Sequence, residues 1–129
     1  MYYKKRDDVA GAYIVADAIL EGDEGFVEMD DSLFEMGYGG NIFLKSLLES
    51  PTTEYLAQKK SFEEMVERGE LEQYLSDTDY VVTKLNELKL EDEEEYEAEK
   101  VKYSDVLAKR KAARKRINEI DVSTGKTGQ

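Results

Sequence analysis

The stretch Ser76–Asp121 reads SDTDYVVTKLNELKLEDEEEYEAEKVKYSDVLAKRKAARKRINEID, and it decides the predicted fold. Its first four residues carry side-chain oxygens that can cap a helix, and apolar residues then recur at helical spacing as far as Leu88. The acidic residues Glu91 and Asp92 predict a turn, after which a longer helix is expected. Residues 76–121 are therefore predicted to form a helical hairpin.

The second helix of this hairpin carries a seam of regularly spaced side chains. Tyr96, Tyr103, Arg110 and Ile117 lie seven residues apart, and Val106, Ala113 and Ile120 fill the intermediate positions. Such spacing is typical of a helix face that a partner helix covers. We expect this arm to be a protein interface. The predicted interface residues are Tyr96, Tyr103, Val106, Arg110, Arg114, Arg116 and Ile117.

The chain before the hairpin, residues 1–75, is predicted to be a small helical domain. Apolar residues recur at helical spacing over residues 7–21, and Gly22 would end that helix. A second apolar helix is expected over residues 41–49, and a third from Pro51 to Gly69.

Strand content is expected to be small. Residues 25–38 hold at most one short β segment, so the predicted fold class is mainly α. The small, polar residues 122–129 are expected to form a flexible tail.

The composition removes several classes of chemistry. The chain has no cysteine and no histidine. A disulfide, a thiol nucleophile and a thiolate metal site are therefore excluded, and the commonest general base is missing. Because the chain has 30 acidic residues, no single pair of carboxylates marks a hydrolytic site. We predict a protein that is not an enzyme, with no catalytic residues, no cofactor and no bound metal.

The N-terminus has basic residues followed by an apolar stretch, as a signal peptide does. Asp7, Asp8 and Asp17 interrupt it, which argues against that interpretation. No apolar run approaches the roughly 20 residues of a membrane-spanning helix. We expect a soluble protein, made in a cytoplasm, with no membrane partner.

The net charge of −12 is unevenly distributed along the chain. Residues 1–60 carry 6 basic and 12 acidic side chains, residues 61–98 carry 3 and 14, and residues 99–129 carry 9 and 4. An acidic protein repels nucleic acid, whereas its basic end can dock on an acidic surface. We therefore expect the basic run Lys109–Arg116 to bind protein, and phosphate contact is its alternative.

Three further patterns have a structural and a functional interpretation. Gly37–Gly40 is either a hinge or a phosphate loop, although the lysine of a phosphate loop is missing after it. The run Glu91–Glu95 is either a solvated helix start or a site for a hard cation, and it lacks the ligand spacing of a calcium loop. The nine tyrosines belong either to the core or to an assembly surface.

A resemblance narrows the functional class. Asp79-Tyr80, a variable turn, and then Tyr103, Arg110, Arg114 and Ile117-Asn118-Glu119 resemble the C-terminal part of small tail-associated proteins of tailed bacteriophages. In that family an aspartate and an aromatic residue begin a helical hairpin whose second helix carries spaced arginines. The resemblance covers about residues 75–121, and Tyr80 stands where the tail-fibre assembly members have tryptophan.

The resemblance implies a non-enzymatic virion structural or assembly protein, associated with the tail or the head–tail junction. Its expected partners are other virion proteins in an oligomeric assembly, and its expected location is the virion, after assembly in the bacterial cytoplasm. The alternative is an acidic phage-encoded inhibitor that imitates nucleic acid and blocks a host defence protein. The net charge favours this alternative, whereas the basic terminal third argues against it.

Overall fold

The computed structural model describes residues 1–125, which fall into two compact units. The first is Met1–Glu63 and the second begins at Glu64. The predicted boundary was after residue 75. Of the predicted tail, Val122 and Ser123 belong to the last helix, and residues 126–129 lie outside the described residues.

The described residues form five strands and four α-helices. The strands are β1 (Tyr2–Lys5), β2 (Ala12–Ala16), β3 (Val27–Glu28), β4 (Phe34–Met36) and β5 (Ile42–Leu44). The helices are α1 (Lys45–Glu49), α2 (Thr53–Glu91), α3 (Glu93–Lys102) and α4 (Ser104–Ser123). Short 3-10 turns occupy Asp31–Leu33 and Tyr38–Gly40. Among residues 1–125, no helix is long and apolar enough to cross a membrane.

The first unit contains an antiparallel sheet in the order β3-β1-β2-β5-β4, so the prediction of a mainly α fold was wrong. The helix predicted over residues 7–21 is instead a turn followed by β2. Gly11 sits in that turn with φ +76°, a left-handed conformation that other residues rarely adopt. The short apolar run Ala12–Ala16 fits a buried strand as well as a helix, and the turn decides between them.

One face of the sheet packs against helices α1 and α2. Ala12 and Phe43 are directly opposite each other on β2 and β5, and both are fully buried. The ring of Tyr55 from α2 meets the ring of Phe43 edge-on, with 5.1 Å between centroids. The helix predicted over residues 41–49 was therefore wrong in its first half, because Ile42–Leu44 is needed as a strand to carry Phe43 into this core.

The opposite face of the sheet curls on itself. Tyr3 of β1 stacks on Phe34 of β4 with ring centroids 3.7 Å apart, although two strands separate β1 from β4 in the sheet. Tyr13 meets Phe34 edge-on at 5.1 Å. The Tyr3 hydroxyl donates a hydrogen bond to the Asp31 carboxylate at 2.8 Å. This contact holds the 3-10 turn before β4 against β1.

Helix α2 is continuous at two places where the sequence predicted a helix terminus. Gly69 and the capping residues Ser76–Asp79 all lie inside it, so the helix start predicted at Ser76 was wrong. Polar side chains there form hydrogen bonds within the helix. For example, Thr78 Oγ1 donates a hydrogen bond to the Tyr74 carbonyl at 2.7 Å. The predicted acidic turn is confirmed at Asp92, whose side chain accepts from the Glu95 N–H and caps α3.

Candidate protein interface

The second unit is a hairpin in which α2 lies antiparallel to α3 and α4. Going up α2, Arg68 contacts Asp121, Thr78 contacts Arg110 and Lys84 contacts Glu99, so the partners descend along α4 and α3. The hairpin is longer than the predicted residues 76–121. Its α2 side extends back at least to Glu67, which pairs with Arg116.

The predicted seam faces the inside of this hairpin. Arg110, Ala113 and Ile120 are buried, and the other four seam positions are half-buried. On α2, the buried side chains Val81 and Leu85 lie in the half of the hairpin nearer its tip. The seven-residue spacing therefore predicted correctly which side of α4 is covered. The half-buried positions are Tyr96, Tyr103, Val106 and Ile117.

Arg110 forms a polar layer in the middle of the hairpin. Its Nη1 donates to the Leu75 carbonyl and to Thr78 Oγ1, both at 2.7 Å, and its Nη2 donates to Asp79 Oδ1 at 2.9 Å. The residue is only 8% exposed. A guanidinium can be buried here because these oxygens accept its N–H donors.

Two further arginine–carboxylate pairs connect α2 and α4 below this layer. Arg116 donates two hydrogen bonds to Glu67, both at 2.8 Å, and this contact lowers the pKa of the Glu67 carboxyl. Arg68 donates to both carboxylate oxygens of Asp121, at 2.7 and 3.1 Å, and the hydrogen bond raises the pKa of Arg68. Such two-pronged pairs fix geometry as well as charge.

These contacts give the predicted interface arginines different roles. Arg110 and Arg116 bind α2 of their own chain. Arg114 is exposed and has no ion pair among residues 1–125. Tyr103 is flanked by Lys84 and Lys102, whose Nζ atoms lie 5.8 and 5.3 Å from its ring centroid.

The other candidate sites have structural roles. The Gly37–Gly40 segment forms a 3-10 turn that is followed by strand β5, and a helix N-terminus for phosphate is missing there. In the described part of the chain, no group of three acidic residues is placed to hold a metal ion. Asp92, within the acidic run Glu91–Glu95, caps the N-terminus of α3.

The sheet face that carries Tyr3 and Tyr13 also holds exposed apolar side chains, which were not predicted from the sequence. Directly opposite residues of neighbouring strands point to the same face. Val15, Tyr3 and Val27 form one such row, and Tyr13, Ile42 and Met36 form another. We call these six residues the tyrosine face. Val15, Val27 and Met36 are exposed at 40%, 58% and 67%.

The hairpin carries two further features that were missed. Leu90, beside the acidic turn, is 89% exposed. Farther down the hairpin, a notch of about 290 Å³ opens between α2 and α4. Its lining is Leu71, Tyr74, Lys109, Ala112 and Ala113. The sequence shows a leucine among acidic residues and two adjacent alanines. Neither pattern predicts that the leucine is exposed or that the alanines line a notch.

Comparison of the chain with protein-family models, with curated proteins and with solved structures gave no match. The surfaces described above and the resemblance of residues 75–121 are therefore the observations that bear on function.

Proposed function

We propose that the protein is a non-enzymatic structural or assembly protein of a bacteriophage virion, associated with the tail or the head–tail junction, which docks onto larger virion proteins. The observation that supports this proposal most is the tyrosine face. Its two rows of apolar side chains meet at β2 and run to opposite edges of the sheet, and three of the six side chains are exposed. Apolar patches of this kind on soluble proteins mark interaction surfaces.

The chemistry of the face suits binding to protein. Its exposed members, Val15, Val27 and Met36, are apolar, whereas Tyr3 is buried against Phe34 and Tyr13 is half-buried. A partner that covers the three exposed side chains removes apolar surface from water. Lys4, Lys5 and Tyr13 line a cavity of about 420 Å³ beside the face, together with Val27 and Met29. The lysines at its margin would attract a partner that is apolar with an acidic rim.

The hairpin supports the same function in a different way. Its helices are joined by the hydrogen bonds of Arg110 and by the Arg116–Glu67 and Arg68–Asp121 pairs, so it is a preformed arm with a fixed arrangement of helices. A partner that binds a preformed surface does not have to order it, and less binding free energy is lost. The sequence resemblance of residues 75–121 to phage tail-associated proteins supplies the virion assignment.

Incorporation into purified particles tests the proposal. We expect mass spectrometry of virions from the host lysate to detect the chain, and we expect Val27→Lys to reduce its incorporation. Met65→Lys is the matched control, because Met65 is similarly exposed on α2 at 60%. A chain that is missing from particles would refute the virion proposal, and a Val27→Lys variant that is incorporated like the control would refute docking through the tyrosine face.

One observation favours the inhibitor as a second candidate. Glu93, Glu94, Glu95 and Glu97 are exposed along α3, as the phosphates of nucleic acid are along a duplex. If the protein is such an inhibitor, it competes with DNA for a basic host protein. Replacing these four residues with glutamine would abolish that competition. A chain that fails to displace DNA from nucleic-acid-binding defence proteins would remove the candidate.

A further inference from the structure

The tip of the hairpin combines a hydrophobic side chain with negative charge. Leu90 is the most exposed of the large apolar side chains in residues 1–125. It stands at the end of α2, next to Glu91, and Asp92 and Glu93 follow. Exposing one leucine costs little, but a leucine held at the end of a rigid helical arm can enter a hole in another molecule.

The notch between α2 and α4 has the complementary properties. Leu71, Tyr74, Ala112 and Ala113 make it apolar, and Lys109 is the charged side chain in its lining. Its volume of about 290 Å³ is ample for a leucine side chain, since a cavity of about 150 Å³ admits benzene. Ala112 and Ala113 are small, so α4 leaves Tyr74 and Leu71 only half-buried at this point.

The tip of a chain cannot reach its own notch. Leu71 and Leu90 both lie on the continuous helix α2, roughly 28 Å apart at 1.5 Å per residue. A straight helix holds them at that distance. Leu90 with its neighbouring carboxylates therefore complements the apolar notch with Lys109 only when the two belong to different molecules.

We infer that the notch formed by Leu71, Tyr74, Lys109, Ala112 and Ala113 receives Leu90 of a second copy of this chain, with the acidic tip of that copy facing Lys109. The contact is head-to-side, so each copy uses its tip on one neighbour and its notch on another. Heterologous contacts of this kind produce rings or open chains of subunits. One side chain in one hole is a small interface, so the association is weak and depends on concentration.

This inference rests on the proposed function only in treating the protein as an assembly subunit, and the two can fail separately. Self-association is measured with the purified full chain, whereas virion docking is measured in particles. Sedimentation velocity at rising concentration and low salt should show the parent forming oligomers. Leu90→Ser should weaken association about tenfold or more, because the leucine is then no longer removed from water. Helical circular dichroism should stay unchanged, since Leu90 makes no buried contact.

A pair of variants tests the direction of the contact. The Leu90→Ser variant has an altered tip and an intact notch. The Ala112→Leu variant has a filled notch and an intact tip. Each variant alone should associate at least about tenfold more weakly than the parent, whereas the mixture should form a one-to-one dimer and nothing larger. Val101→Ser is the matched control, because Val101 is 73% exposed on α3, and it should associate like the parent.

Three outcomes would overturn the inference. The parent could remain monomeric at every concentration, Leu90→Ser could associate as the parent does, or the mixed variants could fail to form the dimer. A parent that is monomeric but enters virions through Leu90 would show that the tip binds a different virion protein.

Discussion

Replacing Arg110 with alanine should destabilise the hairpin by about 2–4 kcal/mol. Its hydrogen bonds to the Leu75 carbonyl and to Thr78 lie inside the hairpin, and bonds from charged donors contribute about 1.5–3 kcal/mol each. We use the lower value, because both acceptors keep a second bond within α2. The bond to Asp79 adds little, because that carboxylate is 68% exposed.

The measurement is urea unfolding of the full chain, followed by far-ultraviolet circular dichroism, which reports mainly on the helices. The matched control is Lys111→Ala on the exposed side of α4, which should change the free energy of unfolding by less than about 0.5 kcal/mol. Arg110→Met should cost less than Arg110→Ala, because methionine replaces the aliphatic stem and buries no charge.

Equal effects of Arg110→Ala and Lys111→Ala would refute the reasoning. Arg110 would then not be packed against α2, and the pairing of the two helices described above would be wrong. A further check is Asp79→Asn, for which we expect at most about 1 kcal/mol. An Asp79→Asn effect as large as that of Arg110→Ala would mean that the exposed ion pair, and not the inner hydrogen bonds, stabilises the layer.

Three other predictions concern packing and pH. Ile117→Asp should lower the thermal midpoint by an amount equivalent to about 2 kcal/mol, because it places an unpaired charge at a half-buried position of the seam, while the control Lys111→Asp should cost far less. Gly37→Ala should destabilise the first unit by about 1–3 kcal/mol, since the new Cβ would lie 2.7 Å from the Phe43 ring, and loss of near-ultraviolet circular dichroism checks this. Glu67 has a pKa below its ordinary value of 4.5 in the folded chain, so its contribution is complete above that value and is lost as the pH falls through the lowered pKa. Glu67→Gln should therefore reduce the dependence of the thermal midpoint on pH on the acid side, and an unchanged dependence would contradict the pairing.

The sequence predicted the covered side of α4 well because helix packing leaves a periodic trace. The prediction of one continuous helix after Asp92 was wrong, since α3 ends at Lys102 and α4 begins at Ser104. A side chain that faces a partner helix recurs every three or four residues, and twenty residues of α4 show that period several times. The break at Asp92 was also visible, since a capping residue followed by acidic residues is a local signal. The candidate interface was predicted less well. The spacing showed that Arg110 lies on the covered face, but it could not show that α2 of the same chain covers it.

The sheet could not be predicted because its strands are too short to show a period. The strands have two to five residues, and the decisive contact between Tyr3 and Phe34 joins residues that are distant in sequence. The continuity of α2 was missed for the opposite reason. Gly69 and the residues Ser76–Asp79 are local signals for helix ends, but burial of a stripe along α2 outweighs them.

The polar layer at Arg110 also determines the register of the hairpin. Sliding α4 by one heptad along α2 would keep its apolar seam covered, but it would place Arg110 opposite Leu71 or Leu85 in place of Thr78. The guanidinium would then be buried without the hydroxyl that now accepts its hydrogen bond at 2.7 Å, and a buried donor without an acceptor is costly. Arg110 thus favours one alignment among several that hydrophobic burial alone would permit, and the Arg116–Glu67 and Arg68–Asp121 pairs favour the same alignment. Because that alignment places the turn at Asp92, it also determines which leucine stands at the tip of the arm.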